Sequence, residues 1–261
     1  MPPRIAIPMP HSIDREYSQR AIPQYERAVE QAGGVPVRIP LDQTAAEVKK
    51  MIDGCDGVLL PGSNADVDPA EFGATRSPQT AAADPRRDVV DALLLEDAYN
   101  LRKPVLGICY GLQSLNVYRA GSLIQHIPDF LPEELRTRVN HEAGKKVAIA
   151  HAVEIEKDSK LAEIVNGKEG GGRELVLPVN SSHHQSAETI GNGLRIAARC
   201  TDDGIIEALE GTAPDHFVLA VQWHPERSVD EDEPSRAIFR ALIKAAEIKT
   251  AKIKAAEAQP R

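Results

Sequence analysis

The chain is organised around one point, Cys109. The apolar run Pro104-Val105-Leu106-Gly107-Ile108 reads as a buried strand. Tyr110-Gly111-Leu112-Gln113-Ser114-Leu115 reads as the opening of a helix. Gly107 and Gly111 flank the thiol at spacing two, as a sharp strand-to-helix turn of the G-x-S-x-G type demands where backbones pass closely, here with Cys in place of Ser. A thiol in that position feels the positive end of the helix dipole, which favours thiolate.

The same alternation of strand and helix runs through the first half. Arg4-Ile5-Ala6-Ile7-Pro8 reads as a strand and Asp14 to Ala32 as a helix that Pro23 splits or kinks. Gly33-Gly34 end that helix. Val35 to Pro40 reads as a strand whose prolines keep it out of the sheet centre. Thr44 to Ile52 is a short helix with a threonine cap, and Gly57 to Gly62 a buried strand. A long loop, Ser63 to Arg86, leads into a helix from Arg87 to Arg102 and then to the Cys109 strand. Such spacing implies parallel strands joined by crossovers, with the active site at their carboxyl ends.

The second half changes character. Strand patterns follow closely: Val147 to Ile155, Glu174 to Val179, Leu194 to Arg199, Ile205 to Leu209 and Phe217 to Trp223. Only short helical pieces such as Ser159 to Val165 intervene, and Gly170-Gly171-Gly172 reads as a flexible turn. These strands are expected to extend the same sheet in antiparallel fashion. The expected fold is therefore α/β: one domain over residues 1–248, a mostly parallel central sheet with helices on both faces, and an antiparallel extension. A last helix from about Pro234 to Ala258 ends in an Ala/Lys/Glu-rich stretch, and residues 249–261 are expected to form a charged, solvated tail.

A second chemical motif lies in Val221-Gln222-Trp223-His224-Pro225-Glu226. The strand from Phe217 delivers His224, and Glu226, two residues on, falls on the same side of an extended chain. Glu226 can then orient the imidazole while His224 faces Cys109, the relationship of base and orienting acid to a nucleophile.

Composition narrows the setting. The net charge of −8 offers nothing to nucleic acid or anionic membranes, and no apolar run is long enough to span a bilayer. The start, Met1-Pro2-Pro3-Arg4, has no signal-peptide pattern, so the cytoplasm is the expected location. The three cysteines, Cys55, Cys109 and Cys200, do not form a disulfide framework. The eight histidines fall into no metal-ligand spacing, so no metal and no cofactor are expected.

With these residues in view, the chain resembles the class I glutamine amidotransferase superfamily. Within it, the chain is most similar to the free-standing γ-glutamyl hydrolases of peptidase family C26. The resemblance covers about residues 4–245. It rests on Leu60-Pro61-Gly62-Ser63 with Asp66-Val67-Asp68-Pro69, and on Asp84-Pro85-Arg86-Arg87-Asp88. Gly107 to Gln113, Gly121-Ser122-Leu123 and Val179-Asn180-Ser181-Ser182-His183-His184-Gln185 match as well, as do Asp203 to Ala208 and Gln222 to Glu226. The resemblance implies a flavodoxin-like sheet, Cys109 as nucleophile, His224 as base and then acid, and Glu226 as its orienting partner. It implies an oxyanion hole from the backbone N–H groups of Ser63 and Tyr110. It also implies a glutamyl pocket of Gly62, Gln113, Ser181, Ser182 and His183.

The implied reaction is hydrolysis of the γ-glutamyl amide bond of a small compound, such as γ-glutamyl-γ-aminobutyrate in polyamine catabolism, through a γ-glutamyl thioester. A glutaminase subunit feeding ammonia to a separate synthetase, and a non-catalytic ligand-binding relative, are the alternatives. The expected partner is a small γ-glutamyl molecule, with a homodimer left open. Close relatives often carry Arg after the nucleophile where this chain has Tyr110, which bears on the amine side of the pocket.

Overall fold

The computed structural model describes residues 1–166 and 175–257, and the Gly170-Gly171-Gly172 turn lies outside them. Four-residue and five-residue apolar strands alternate with helices from the start: β1 (Arg4–Pro8), α1 (Arg15–Gln31), β2 (Val35–Ile39), α2 (Ala45–Asp53), β3 (Gly57–Leu60), α3 (Pro85–Leu101), β4 (Val105–Ile108) and α4 (Tyr110–Tyr118). Then come β5 (Leu123–Ile124), α5 (Ile127–Phe130), β6 (His151–Ile155), α6 (Lys160–Asn166), β7 (Leu175–Val179), β8 (Ser186–Ala187), β9 (Leu194–Cys200), β10 (Ile206–Gly211), β11 (Val218–Val221) and α7 (Glu233–Glu257).

Among the described residues, nine strands form one sheet in the order β2-β1-β3-β4-β11-β10-β9-β6-β7. From β2 to β11 every pairing is parallel; from β11 to β7 every pairing is antiparallel. The antiparallel half thus extends one sheet, and the proline-containing β2 is at its edge, as expected.

Side chains on successive strand residues point to opposite faces, and the core divides accordingly. Ile5, Ile7, Leu59, Leu106, Ile108, Leu219 and Val221 pack on one face, against α1 and α7. Ala6, Val58, Leu60, Val105, Val218 and Ala220 pack on the other, against α2, α3 and α4.

Several local expectations change. Pro23 sits inside an unbroken α1. It lies on the exposed side, where the Gln19 carbonyl that loses its partner can meet water. The threonine cap of α2 is a full capping box, Thr44 with Glu47. Strand β6 starts only at His151, because residues 140–150 fold into turns instead. The unforeseen pair β5–β8 forms a small second sheet that anchors the segment after His184. Helix α7 runs without a break across residue 248, and the Thr250 hydroxyl bonds Asp56 at 3.0 Å, tying that part of the expected tail to the domain. Residues 258–261 lie outside the described residues.

Candidate active site

The carboxyl ends of β3, β4 and β11 lie side by side, and each opens into one of the sequence motifs. Cys109 follows β4 with φ 53° and ψ −106°, a left-handed conformation that costs a non-glycine residue energy. Its N–H is fastened to the Val221 carbonyl at 2.8 Å. The flanking glycines are there for space. A methyl group on Gly111 would lie 2.2 Å from the Leu60 carbonyl oxygen, and one on Gly107 would lie 2.8 Å from the Gly111 carbonyl oxygen. The turn can close only with glycine at both positions.

Strand β11 ends at Val221, earlier than expected, and Pro225–Arg227 forms a 3₁₀ turn instead of extended chain. His224 and Glu226 still meet, Nδ1 to Oε1 at 2.8 Å, both buried. The turn is held from outside. The Asn180 side-chain amide donates to the His224 carbonyl at 2.9 Å, and its oxygen accepts from the His224 N–H at 3.0 Å. Arg227 reaches Ser182 Oγ at 2.8 Å.

Gly62 is where the motifs converge. A methyl group there would lie 3.0 Å from His224 Cε1, 3.1 Å from the Tyr25 hydroxyl and 3.6 Å from Cys109 Cβ. The Gly62 N–H donates to the Tyr25 hydroxyl at 3.1 Å, which leaves Ser63 as the next donor along the loop. The loop is also held from behind. Arg87, fully buried on α3, donates to the Pro61 carbonyl at 2.7 Å, to the Pro10 carbonyl at 3.0 Å and to Asp91 at 2.7 Å.

The electrostatics favour a neutral pair at rest. Burial pushes the Cys109 thiol up to about 12, against the pull of Arg227 and of the Tyr110 N–H. The expectation of a dipole-stabilised thiolate is therefore reversed by desolvation. Burial, opposed by Glu226 and helped by Arg227, holds the His224 imidazole below its ordinary 6.5. For Glu226, burial resists ionisation, but His224 and Arg227 outweigh it and keep the carboxyl below 4.5. A neutral imidazole oriented by a carboxylate can accept a proton from a neighbouring thiol.

The remaining predicted positions divide. Gln113 is buried on α4, its amide making long contacts of 3.3 Å to the Gln185 carbonyl and 3.4 Å to Gln222. Ser181 donates its hydroxyl to the His141 carbonyl at 2.7 Å, and His183 is buried with Nδ1 2.9 Å from the Gln185 carbonyl. Both side chains are turned into the protein. Ser182 is half-buried beside Arg227. The Tyr110 ring is buried, its hydroxyl bonded to Asp88 and the Arg87 guanidinium 4.8 Å from its centre. Its side chain therefore faces α3, not an amine pocket. Sequence reasoning gave no role to Tyr25, Arg87, Asp91 or Asn180. Arg87 and Asn180 lay inside the matching motifs, and that was their only signal.

Residues 6–226 match the peptidase C26 family. The chain belongs to the peptidase C26 family. A glutamine amidotransferase-like protein of Rickettsia prowazekii is 32% identical over 255 residues, covering 85% of this chain and 87% of that protein. The gamma-glutamyl-gamma-aminobutyrate hydrolase of Escherichia coli K12 is 34% identical over 234 residues, covering 85% and 84%. Among solved structures, a Thermoplasma acidophilum protein described as a component of GMP synthase superposes with a TM-score of 0.63 at 16% identity, over 97% of this chain and 98% of that one. PurLQS from Thermotoga maritima gives a TM-score of 0.56 at 18% identity, covering 94% and 99%. These two establish the class I glutamine amidotransferase-like fold. This C26 member is thus a hydrolase of the glutamine amidotransferase-like type, and among its described residues no helix is long and apolar enough to cross a membrane.

Proposed function

We propose that the protein cleaves the γ-glutamyl amide bond of small γ-glutamyl compounds by way of a γ-glutamyl thioester on Cys109. The observation that carries this reading is the convergence at Gly62. A methyl group added to that one glycine would lie within 3.6 Å of both the Cys109 side chain and the His224 ring, and His224 is in turn bonded to Glu226 at 2.8 Å. His224 takes the thiol proton as sulfur attacks the γ-carbonyl carbon. The developing oxyanion is assigned to the backbone N–H groups of Ser63 and Tyr110, donors of the kind that suit such a site. His224 then gives the proton to the departing amine, and water, activated by the same imidazole, hydrolyses the thioester. Glu226 stabilises the imidazolium formed in each half.

Gly62 leaves room for the glutamyl carbonyl. Gln113 and Ser182 are the candidates to hold the glutamyl head, because Gln113 has only long contacts to exchange and Ser182 remains partly open. Ser181 and His183 support that wall from behind. The name of the Escherichia coli relative supports a small amine such as γ-aminobutyrate as the leaving group.

The test is a comparison of kcat/KM for γ-glutamyl-γ-aminobutyrate, γ-glutamyl-putrescine and glutamine. A pocket that takes binding energy from the leaving amine favours the first two over glutamine. A preference for glutamine would make the protein an ammonia donor instead.

A further inference from the structure

Four buried side chains from four separate segments point at one another in the antiparallel half of the sheet. His141 comes from the turns before β6, His151 opens β6, His183 lies between β7 and β8, and Glu207 is on β10. Glu207 Oε1 is 3.3 Å from His141 Nδ1, 3.3 Å from His151 Nε2 and 3.4 Å from His183 Nε2. One ligand-type atom from each residue lies within 4.8 Å of all the others. The four side chains are at most 4% exposed. Despite these distances, none of the three nitrogens nor either Glu207 oxygen has an aligned hydrogen-bond partner among the described residues.

The outer nitrogens explain why. His183 Nδ1 lies 2.9 Å from the Gln185 carbonyl and His151 Nδ1 lies 3.4 Å from the Ala152 carbonyl. A carbonyl can only accept, so the protons of these rings sit on Nδ1 and the lone pairs on Nε2 face inward. His141 Nε2 lies 2.8 Å from the Asp203 carboxylate, which calls for a proton there and leaves the Nδ1 lone pair facing inward. In their neutral forms three lone pairs and a carboxylate thus meet in a buried space, an arrangement that calls for a positive charge among them, either a metal ion or an added proton on an imidazole. Outer carboxylate and carbonyl acceptors of this kind are what orient metal-bound histidines.

The spacing agrees. Tetrahedral zinc bound to imidazole nitrogen and carboxylate oxygen at ~2.0–2.2 Å has ligand-to-ligand edges of roughly 3.3–3.6 Å. We infer that His141, His151, His183 and Glu207 form a site for one divalent transition-metal ion of the zinc class. Four protein ligands leave no open position, so the ion is structural. It pins the 140–150 turns and the Asn180–Gln185 loop to β10, and that loop carries Asn180, the clamp on His224. The inference does not depend on the reaction assigned above.

The experiment uses the full chain produced with zinc in the medium. Elemental analysis should find about one zinc per chain. Extraction with a chelator should lower Tm, and zinc added back in large excess over its Kd should restore it, a shift on the order of 10 °C. Cobalt(II) loaded into the extracted protein should give the strong visible absorption of a tetrahedral site. His151→Ala and Glu207→Gln should each abolish the stoichiometric zinc and the Tm response. Should both variants fail to fold, His151→Cys with cobalt decides the matter: a thiolate-to-cobalt charge-transfer band supports the site and its absence overturns it. Absence of zinc with no Tm response in the unaltered chain would overturn the inference. So would zinc binding that survives in the folded variants.

Discussion

Asn180 holds the peptide of His224 by both ends, accepting from its N–H at 3.0 Å and donating to its carbonyl at 2.9 Å. This ring of two hydrogen bonds joins the segment after β7 to the turn after β11. It determines where the imidazole stands relative to Gly62 and Cys109, although Asn180 has no assigned part in the chemistry.

Asn180→Ala should therefore lower kcat much more than it raises KM. Leaving the two buried backbone groups unpaired should also cost about 1–3 kcal/mol of stability each. Asn180→Asp keeps the acceptor but loses the donor, so it should recover part of the kcat. Steady-state kinetics with denaturant unfolding of both variants checks this. Equal loss in the two would mean the clamp is not what positions His224.

Cys109→Ser should leave the fold intact and reduce kcat by about 10⁴-fold or more, because a hydroxyl in this setting is a far poorer nucleophile than a thiol. Near-normal turnover, with a Tm matching the parent, would contradict the thioester route.

For the other two members, severity should be graded. His224→Ala should be about as damaging as the cysteine change, since such groups act as a unit. Glu226→Gln should be roughly 10²-fold less damaging, because the acid orients and stabilises without itself carrying the proton. Measured kcat values that show equal, mild losses in all three would rule out the arrangement.

Arg87 makes a different kind of prediction. Arg87→Ala leaves Asp91 buried and unpaired and should cost about 3–5 kcal/mol. The double variant Arg87→Met with Asp91→Leu should regain most of that stability. It should stay slow, because nothing then holds the Pro61 carbonyl and the Ser63 N–H behind it. Unfolding curves paired with kcat separate the two effects.

The pH profile follows from the direction of two shifts. His224 must be neutral to accept a proton, and burial holds it below 6.5 while Glu226 pulls the other way and Arg227 and His183 face it with positive or latent positive charge. Protonation as pH falls through that lowered value removes the base, so kcat/KM should rise with pH on a limb centred below 6.5 and then level. The thiol, pushed up to about 12, should add no second limb near neutrality. A limb above 6.5 that moves in Glu226→Gln would show that the acid, not burial, dominates.

Much of this was written in local sequence. Apolar runs of four or five residues separated by amphipathic stretches specify strands and helices by period alone, and Gly107-x-Cys109-x-Gly111 specifies a turn because no other residue fits against Leu60 and Ala220. The relation of His224 to Glu226 needed only two residues of separation, and it survived the change from extended chain to a 3₁₀ turn.

Contacts between distant segments were not legible in the same way. Arg87 and Pro61 are 26 positions apart and Asn180 and His224 are 44 apart, so no period or short motif could pair them. The histidines carry the lesson furthest. Spacing rules detect ligands that share one helix or one turn, and His141, His151, His183 and Glu207 share neither. Their meeting is decided by the antiparallel order β10-β9-β6-β7 and by the loop that returns to β5, which place distant residues side by side. The chain alone determined which residues could do chemistry at the ends of its parallel strands. Only the tertiary structure decided which buried groups face one another, because that depends on register and sheet order, and neither is set by any local stretch of sequence.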